Sequence, residues 1–303
     1  MKLIKPSFEI IEQKPRDIVI PADMEIGPRM WKDELINSVY RQIEIAGRTC
    51  YKSEDKITET SAKEFVDRMV KSGHGAMLEH GTVYLKLENY GDSMNDYDHA
   101  NLENKYIENP YSIVVFGKVP VYSSWEEKQK VYQEVYITTN LRVLVENGWL
   151  NDLQYQCEPT EFHEKRITVK VTIDRGVSHE FVRHRVLSFA QESTRYCNYA
   201  KAKFGGSVSF IMPPWLNDVE KPEFEQDLKV IETIYFKWLS KGWTAQQARG
   251  FLCNFLKTEL IMTGTTKQWE GFFQLRDAGS AHPQAYELAH PLHEEFIKRG
   301  WIK

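Results

Sequence analysis

The chain has 303 residues, 39 basic and 43 acidic side chains, a net charge of −4 and a pI near 6.2. That balance creates no global field for nucleic acid or an anionic membrane, so we expect neither as a partner and any anion must be bound locally. Hydrophobic residues are 42% of the chain and aromatic residues 13%, which is ample for a large core. No run approaches the ~18 apolar residues of a membrane span. The N-terminus has no secretory signal, so the expected location is cytoplasmic.

The N-terminal part of the sequence predicts two helices and one strand. Helical spacing of apolar residues predicts a helix over Trp31–Tyr51. Ser61 and Glu64 are spaced as a capping box, which predicts a second helix from Ser61 to Lys71. Alternation of apolar and polar residues predicts a strand over Thr82–Glu88.

Periodicity is weaker in the middle of the chain. Residues 89–109 are polar and aperiodic, which is typical of a loop, and Tyr111–Phe116 fits a short strand. Trp125–Trp149 is predicted to form one or two helices.

Strands and helices alternate in the C-terminal half. Alternating residues predict strands at Ile167–Ile173, Ser207–Met212 and Glu259–Thr263. Helical spacing and caps predict helices from Gly176 into the following basic segment, at Glu223–Leu239, after a Thr244/Gln247 cap, at Thr266–Gln274 and at Pro283–Arg299.

The segment from Glu180 to Tyr196 concentrates the chemistry of the sequence. Apolar residues separate its charges, which is unlike either a solvated basic patch or a plain core segment. Guanidinium forks and small hydroxyl donors are the groups that bind a phosphate dianion. The segment supplies them as Arg183, Arg185, Arg195, Ser188, Ser193 and Thr194. The alternative is a basic turn that only pairs with surface acids, and composition alone does not separate the two.

The order of these residues is more specific than their composition. It reads R-H-R, two residues, serine, four residues, serine, one residue, arginine, starting at Arg183 and ending at Arg195. This pattern resembles the motif of flavin-dependent thymidylate synthases, and the resemblance covers residues 32–88 and 166–299. It implies an α/β (α+β) fold with a central, mostly antiparallel sheet flanked by helices. It also implies a single domain over 1–303, in which 89–165 is an insertion atypical of the family.

The resemblance implies a reaction as well as a fold. Members of this family methylate dUMP to dTMP, with the carbon from methylenetetrahydrofolate and the reducing equivalents from NADPH through FAD. They are homotetramers whose sites draw on several subunits, and we expect the same here.

By resemblance, the segment from Gln191 through Glu192, Ser193 and Thr194 to Arg195 wraps dUMP. Further substrate contacts would come from Glu180, Arg183, Arg249 and Arg276. In relatives, the position of Glu180 is often glutamine, that of Gln191 is often glutamate, and the arginine matching Arg249 reaches the phosphate from a neighbouring subunit.

Two residues are predicted to act in catalysis. Arg276 would stabilise negative charge on the pyrimidine as the ring is activated. Ser193 would donate a hydrogen bond to the substrate, because no G-x-S-x-G elbow is present to make it a nucleophile. The four cysteines lie far apart, and we expect reduced, structural thiols, including Cys197 beside the motif.

The cofactor residues implied by the resemblance fall in three stretches. His74 and Ala76 occupy a turn that would lie against the flavin, and Ala76 stands where relatives usually carry a hydroxyl. The central motif would contribute Arg183, His184, Arg185 and Gln191. Thr265, Lys267 and Gly271 match the start of the helix that holds FAD, where relatives have asparagines and an arginine.

Two other classes of protein stay open at this point. A nucleotide-binding regulatory protein without flavin chemistry would explain Thr265 and Gly271. A metal-dependent hydrolase would use His74, His80 and His290, although no H-E-x-x-H or H-x-x-E-H spacing occurs. His290 and His293 are spaced as two metal ligands, but without a third ligand we expect core or surface histidines.

Overall fold

The computed structural model describes residues 1–15, 28–90, 104–117 and 132–303. The strands are β1 (Lys2–Ile4), β2 (Ser7–Ile11), β3 (Thr82–Tyr90), β4 (Ile113–Phe116), β5 (Tyr132–Asn140), β6 (Arg166–Asp174), β7 (Ser188–Gln191), β8 (Ser209–Ile211) and β9 (Lys257–Thr265). The helices are α1 (Pro28–Tyr51), α2 (Ser61–Lys71), α3 (Gly75–Leu78), α4 (104–107), α5 (Leu141–Glu146), α6 (Arg175–Phe181), α7 (Lys221–Ser240), α8 (Ala245–Ala248), α9 (Thr266–Arg276) and α10 (Pro283–Lys298). Short 3-10 turns occur at Glu54–Lys56, Leu150–Tyr155, Ala202–Phe204 and Arg249–Phe251.

The chain forms two compact units. The first unit contains Met1–Ile11, Ile45–Ile57 and Ile167–Lys303, and the second contains Glu12–Glu44 and Thr58–Arg166. The predicted insertion, 89–165, falls within the second unit, and its description as an insertion in a single domain stays a prediction.

A four-stranded sheet in the order β2-β6-β9-β7 is the centre of the first unit. β2 is antiparallel to β6, and β7 is antiparallel to β9. One face is apolar, because alternate residues of β6 such as Val169 and Val171 point into a core with α9 and α10. Trp269 of α9 is fully buried there, and its indole Nε1 donates to the carbonyl of Ile167 at 3.1 Å. This contact fixes the helix that ends at Arg276 onto the sheet.

A second core in the same unit lies under α7. The residues Phe224, Leu228, Ile231, Tyr235 and Leu239 share one stripe of this helix, as the sequence predicts. They pack beside the short parallel pair formed by β1 and β8. The predicted strand Ser207–Met212 is therefore confirmed, although only its central residues pair.

The second unit contains an antiparallel sheet in the order β3-β5-β4. It shows that the helical prediction for Trp125–Trp149 is wrong over Tyr132–Asn140, which is strand β5. Pairing with both neighbouring strands and β-branched or aromatic side chains favour a strand here. A helix begins only at Leu141, where the side chain of Asn140 accepts a hydrogen bond from the amide of Val143 at 3.2 Å. The beginning of the predicted segment lies outside the described residues.

The predicted capping box of α2 is also corrected. Thr60 is the N-cap, and the Ser61 hydroxyl instead accepts from the amide of Thr58 at 2.9 Å and donates to Glu44 at 2.8 Å. Glu64 pairs with Arg68 one turn later. The bounds of the helix are nevertheless those predicted.

In the loop predicted over 89–109, Asn89 and Tyr90 instead end β3, residues 104–107 form α4, and residues 91–103 lie outside the described residues. The other predicted elements agree with the structure to within a few residues. The fold is a mixture of helices and strands in which antiparallel sheets are flanked by helices, so the predicted fold class is confirmed. Within the described residues, no helix has the length and apolar composition that crossing a bilayer requires.

Candidate functional site

The predicted motif begins where α6 ends. Asp174 caps this helix by accepting a hydrogen bond from the amide of Val177 at 2.9 Å, and the last helical residue is Phe181. Phe181 is fully buried, with its ring edge against Phe272 of α9 at 4.8 Å between centroids. The arginines that follow are therefore carried on a turn anchored to the core, and both Arg183 and Arg185 are exposed.

Arg276, the last residue of α9, joins this turn through three hydrogen bonds. Its Nη1 donates to Glu180 Oε2 at 2.6 Å, and its Nη2 donates to the carbonyl of Glu180 at 3.0 Å. Its Nε donates to His184 Nε2 at 3.0 Å. We call Arg276, Glu180 and His184 the Arg276 cluster. The resemblance assigns Glu180 and Arg276 separately to the substrate, and no pattern in the sequence predicts that these two distant residues pair.

His184 is neutral in this environment. Burial and the adjacent guanidinium of Arg276 lower the pKa of His184 from 6.5 to about 4. Because Nε2 accepts from Arg276, the ring proton of the neutral imidazole lies on Nδ1. The ring also packs edge-on to Phe272, with centroids 5.0 Å apart. Near neutral pH the histidine of the R-H-R triplet therefore carries no positive charge.

A second group of polar side chains lies at the other end of the motif. Arg249 Nη1 donates to Thr194 Oγ1 at 3.2 Å, and Arg195 Nε donates to Gln246 Oε1 at 2.9 Å. Both arginines are exposed. We call Thr194, Arg195 and Arg249 the Arg195 cluster. The resemblance placed Arg249 at the site of a neighbouring subunit, but here it already lies beside Thr194 of its own chain.

The residues before Arg249 explain its position. The predicted cap of α8 is confirmed, because Gln247 Oε1 accepts from the amide of Thr244 at 2.9 Å. The helix is short, and its end passes directly into the 3-10 turn that begins at Arg249.

Gln191 connects the motif to the sheet. Its amide nitrogen donates to Ser178 Oγ of α6 at 2.9 Å and to Thr258 Oγ1 of β9 at 3.2 Å. Ser193, two residues on, is half-buried, and its backbone amide donates to the carbonyl of Cys50 at 2.9 Å. These bonds fix the first and third residues of the predicted substrate segment.

Glu192 is oriented differently from its neighbours. Its side chain is 1% exposed, and its two oxygens accept from Lys257 Nζ at 2.9 Å and from the hydroxyl of Tyr199 at 3.2 Å. A carboxylate buried in this way has no free face for a ligand. The side chain of Glu192 is therefore committed to Lys257 and Tyr199.

The predicted cofactor residues differ in whether their side chains are available to bind a ligand. Within the described residues, neither Arg183 nor Arg185 forms a side-chain hydrogen bond or ion pair, so two guanidinium groups are available to a diphosphate. Thr265 is buried and uses its hydroxyl to cap α9, accepting from Gln268. Lys267 is exposed, and a side chain added at Gly271 would meet open space.

The remaining cofactor candidates, His74 and Ala76, belong to the second unit. His74 is the N-cap of α3 and Ala76 lies in its first turn, and both are exposed.

The histidines of α10 bind a carboxylate. His290 Nδ1 and His293 Nδ1 lie 2.8 and 2.5 Å from the two oxygens of Asp277, the residue after Arg276. Among the described residues, no group of three or more His, Cys, Asp or Glu side chains has the geometry to hold a metal ion. Both histidines therefore act here as structural partners of Asp277.

The cysteine nearest the motif is inert as a nucleophile. Cys197 is 1% exposed, and burial followed by the nearby Glu192 raises the pKa of its thiol to about 12. A protonated, inaccessible thiol does not attack a substrate. This agrees with the structural role expected for Cys197.

The two clusters and the exposed arginine pair offer guanidinium donors suited to an anionic ligand, on a mixed α/β fold. The family model described as thymidylate synthase complementing protein matches residues 105–299. The chain belongs to this family. The matched residues include most of the predicted insertion, whereas the resembling segment 32–88 lies outside them.

The individual relatives are named flavin-dependent thymidylate synthase. The flavin-dependent thymidylate synthase of Geobacter sulfurreducens is 31% identical over 119 residues, which are 39% of this chain and 50% of that protein. The Saccharolobus solfataricus protein of the same name is 24% identical over 195 residues, 57% of this chain and 70% of that one. The Pyrococcus furiosus protein is 30% identical over 132 residues, 43% of this chain and 53% of that one. The chain thus spans about half the length of two of these relatives.

A solved structure gives a weaker likeness. The crystal structure of the UMP/dUMP methylase PolB from Streptomyces cacaoi bound with 5-Br dUMP aligns with 98% of this chain and 93% of its own. The TM-score is 0.40 and the identity 14%. A likeness at that level carries no conclusion about this chain.

Proposed function

We propose that this chain is a flavin-dependent thymidylate synthase, which methylates dUMP to dTMP. The carbon would come from methylenetetrahydrofolate, and NADPH would supply reducing equivalents through FAD. Membership of the family and the names of the relatives support this reaction. The structural observation that most supports this function is the Arg276 cluster, in which three hydrogen bonds hold a guanidinium beside the R-H-R turn.

The Arg195 cluster suits the phosphate of the nucleotide. Arg195 and Arg249 are exposed, and each uses only one nitrogen in a side-chain hydrogen bond within the described residues. Their remaining donors can form bidentate contacts with a phosphate dianion. The hydroxyls of Ser193 and Thr194 would add donors beside them.

The Arg276 cluster suits the pyrimidine ring. A cation fixed by three hydrogen bonds needs no reorganisation when negative charge develops on the ring, which is the condition for electrostatic catalysis. Glu180 accepts from Arg276 and so sets the direction of the guanidinium. His184 contributes as a neutral acceptor, so it adds no charge of its own near neutral pH.

The cofactor would be held mainly by the exposed arginines of the turn. Arg183 and Arg185 fit the diphosphate of FAD by charge and exposure. When bound, the flavin supplies the redox chemistry, and the protein supplies orientation and electrostatics. The hydroxyl of Thr265 is committed to its cap, so the start of α9 would contribute through its backbone rather than through that side chain.

The proposed assembly is a homotetramer. Large apolar side chains flank the site in the isolated chain: Val186 is 65% exposed and Leu275 is 61% exposed, each next to a site arginine. Apolar surface beside a charged site is typical of a subunit contact. Light scattering on the purified protein tests this, and a monomer at micromolar concentration would contradict it.

The function is tested with the purified protein and its visible spectrum. We expect a yellow protein, or one that becomes yellow with FAD, that forms dTMP from dUMP only when methylenetetrahydrofolate and NADPH are both present. Chromatographic measurement of dTMP with each component omitted in turn is the control. A colourless protein that binds dUMP but forms no dTMP would instead favour a regulatory nucleotide-binding protein, and activity that a chelator abolishes would favour a metal enzyme.

A further inference from the structure

A charged network lies behind the Arg195 cluster. It contains three lysines, Lys52, Lys170 and Lys257, and two carboxylates, Glu192 and Glu259. Glu259 is its centre, with Lys52 Nζ at 2.7 Å, Lys170 Nζ at 2.8 Å and Lys257 Nζ at 2.5 Å. Lys257 also reaches Glu192 at 2.9 Å. We call these five residues the Glu259 network.

The network is largely removed from water. The side chains of Glu192 and Glu259 are 1% and 11% exposed, and those of Lys52 and Lys257 are 17% and 15% exposed. Burial favours the protonated form of Glu259. The three lysines outweigh burial, Lys257 most of all, and hold the pKa of the Glu259 carboxyl far below its usual range. Burial lowers the pKa of the Lys52 ammonium, but the hydrogen bonds to Glu259 and Glu54 and the negative charge of Glu259 outweigh burial and raise it. Glu259 and Lys52 are therefore both charged near neutral pH.

The network joins four separate parts of the first unit. Lys52 follows α1, Lys170 lies on β6, Lys257 and Glu259 lie on β9, and Glu192 follows β7. The backbone repeats the connection, because the amide of Glu192 donates to the carbonyl of Glu259 at 2.8 Å. Of the described non-glycine residues, Lys52 alone has a positive φ, 47°, so ion pairs to Glu54 and Glu259 hold an unfavourable backbone conformation in place.

Glu192 connects the network to the phosphate end of the site. The next two residues are Ser193, whose amide bonds to the carbonyl of Cys50, and Thr194, which accepts from Arg249. Arg195 follows directly. Because Glu192 is anchored on its inner side, the backbone that presents Thr194 and Arg195 has little freedom to shift.

We propose that Glu192, Lys257 and Glu259 are positioning residues that set the affinity of the site for the phosphate of its nucleotide. This rests on the proposed function. None of the three touches the ligand; they act by fixing Thr194 and Arg195 against β9. Displacement of a binding group by about 1 Å lowers the rate of an enzyme by up to ~100-fold, so a fixed backbone matters at this point. The family resemblance assigns Glu192 to the substrate, whereas its buried contacts with Lys257 and Tyr199 fit a support behind the substrate segment.

The test compares two ligands that differ only in the phosphate. Binding of dUMP and of deoxyuridine to the flavin-loaded protein is measured by calorimetry for the parent protein and for Glu192→Gln. We expect the dissociation constant for dUMP to rise by about tenfold, the effect of losing one charge-assisted hydrogen bond of a buried pair. We expect deoxyuridine binding, flavin content and kcat at saturating dUMP to change by less than about twofold. A twofold change corresponds to less free energy than one charge-assisted hydrogen bond contributes.

Two variants of Lys257 complete the experiment. Lys257→Met removes the cation that bridges the two carboxylates, and it should weaken dUMP binding as Glu192→Gln does. This variant also provides the test if Glu192→Gln fails to fold. Lys257→Arg keeps a cation with several donors and should restore most of the dUMP affinity. Asp227→Asn, which removes an exposed acid of α7, is the matched control for a change of one charge.

The outcomes separate the positioning role from the proposed function. Equal weakening of dUMP and deoxyuridine, or unchanged dUMP binding in both Glu192→Gln and Lys257→Met, would overturn the positioning role while leaving the proposed function intact. Failure of the parent protein to bind dUMP would overturn the function and this inference together.

Discussion

The two ends of the site are built in opposite ways. In the Arg276 cluster, the guanidinium makes three hydrogen bonds, and its side chain is 15% exposed. In the Arg195 cluster, both arginines are exposed, and each donates one side-chain hydrogen bond within the described residues. The first end is preorganised, whereas the second keeps its donors for a ligand.

This difference fits the role proposed for each end. A group that stabilises developing charge works best when its orientation is set before the reaction. A group that binds a phosphate works best when most of its donors are unused and only its backbone is fixed. The Glu259 network supplies that fixation to the Arg195 cluster from behind. Variants of the two ends should therefore have different kinetic signatures.

The largest effect is expected at the preorganised end. Arg276→Ala should lower kcat for dTMP formation by about 100-fold or more, as loss of an oriented charge-stabilising donor does. Flavin should stay bound, because Arg183 and Arg185 are unchanged. The visible spectrum and a dTMP assay on one preparation measure both. A fully active Arg276→Ala protein would remove the assigned role of this residue, and Arg276→Lys tests whether charge without the fork is sufficient.

Variants of the Arg195 cluster should change KM for dUMP. Arg249→Ala removes one phosphate donor and should raise KM for dUMP by about 10- to 100-fold, because charge-assisted hydrogen bonds contribute about 1.5–3 kcal/mol each. The value of kcat should change little. Steady-state kinetics with dUMP as the varied substrate separate the two. A fall in kcat with unchanged KM would place Arg249 at the reacting ring instead.

These signatures depend on contacts that no local pattern in the sequence contains. Periodicity and capping residues predict most elements, including α9, α10 and the stripe of α7, because short-range rules determine them. The pair Glu180–Arg276 joins residues 96 positions apart, and the separation of Lys52 from Glu259 is 207. Only the folded chain shows which charges meet.

The helical prediction over β5 is wrong for the same reason. This strand is rich in β-branched and aromatic residues, and its pairing with β3 and β4 joins residues that are distant in the chain. Glu192 stands between polar residues of the motif, and the sequence pattern alone does not reveal that its side chain is buried against Lys257. The motif assigns candidate residues by their order in the chain, but it does not predict which of their side chains are buried.

A smaller effect is expected from a conservative change at Glu180. The carboxylate orients Arg276 through Oε2 and through its own backbone carbonyl, and the second contact survives any side-chain change. Glu180→Gln keeps one acceptor oxygen and should retain activity within about tenfold, the value of one charge-assisted bond. Glu180→Leu should lose more, because Nη1 of Arg276 then has no side-chain acceptor there. Equal kcat values for the two variants would show that the side chain of Glu180 does not orient Arg276.

The smallest effect concerns pH and is measured as thermal stability. The pKa of His184 is about 4 in the folded protein and 6.5 as a free side chain, so the unfolded state binds the extra proton first as pH falls. The stability contributed by the neutral ring is complete above pH 6.5 and is lost as pH falls from 6.5 towards 4. In His184→Gln, which retains an acceptor for Arg276 but does not titrate, Tm should fall less between pH 7 and pH 4.5 than in the parent protein. An identical decrease in both proteins would mean that His184 is as easily protonated in the fold as in water, and the Arg276 cluster would then carry two adjacent cations rather than one.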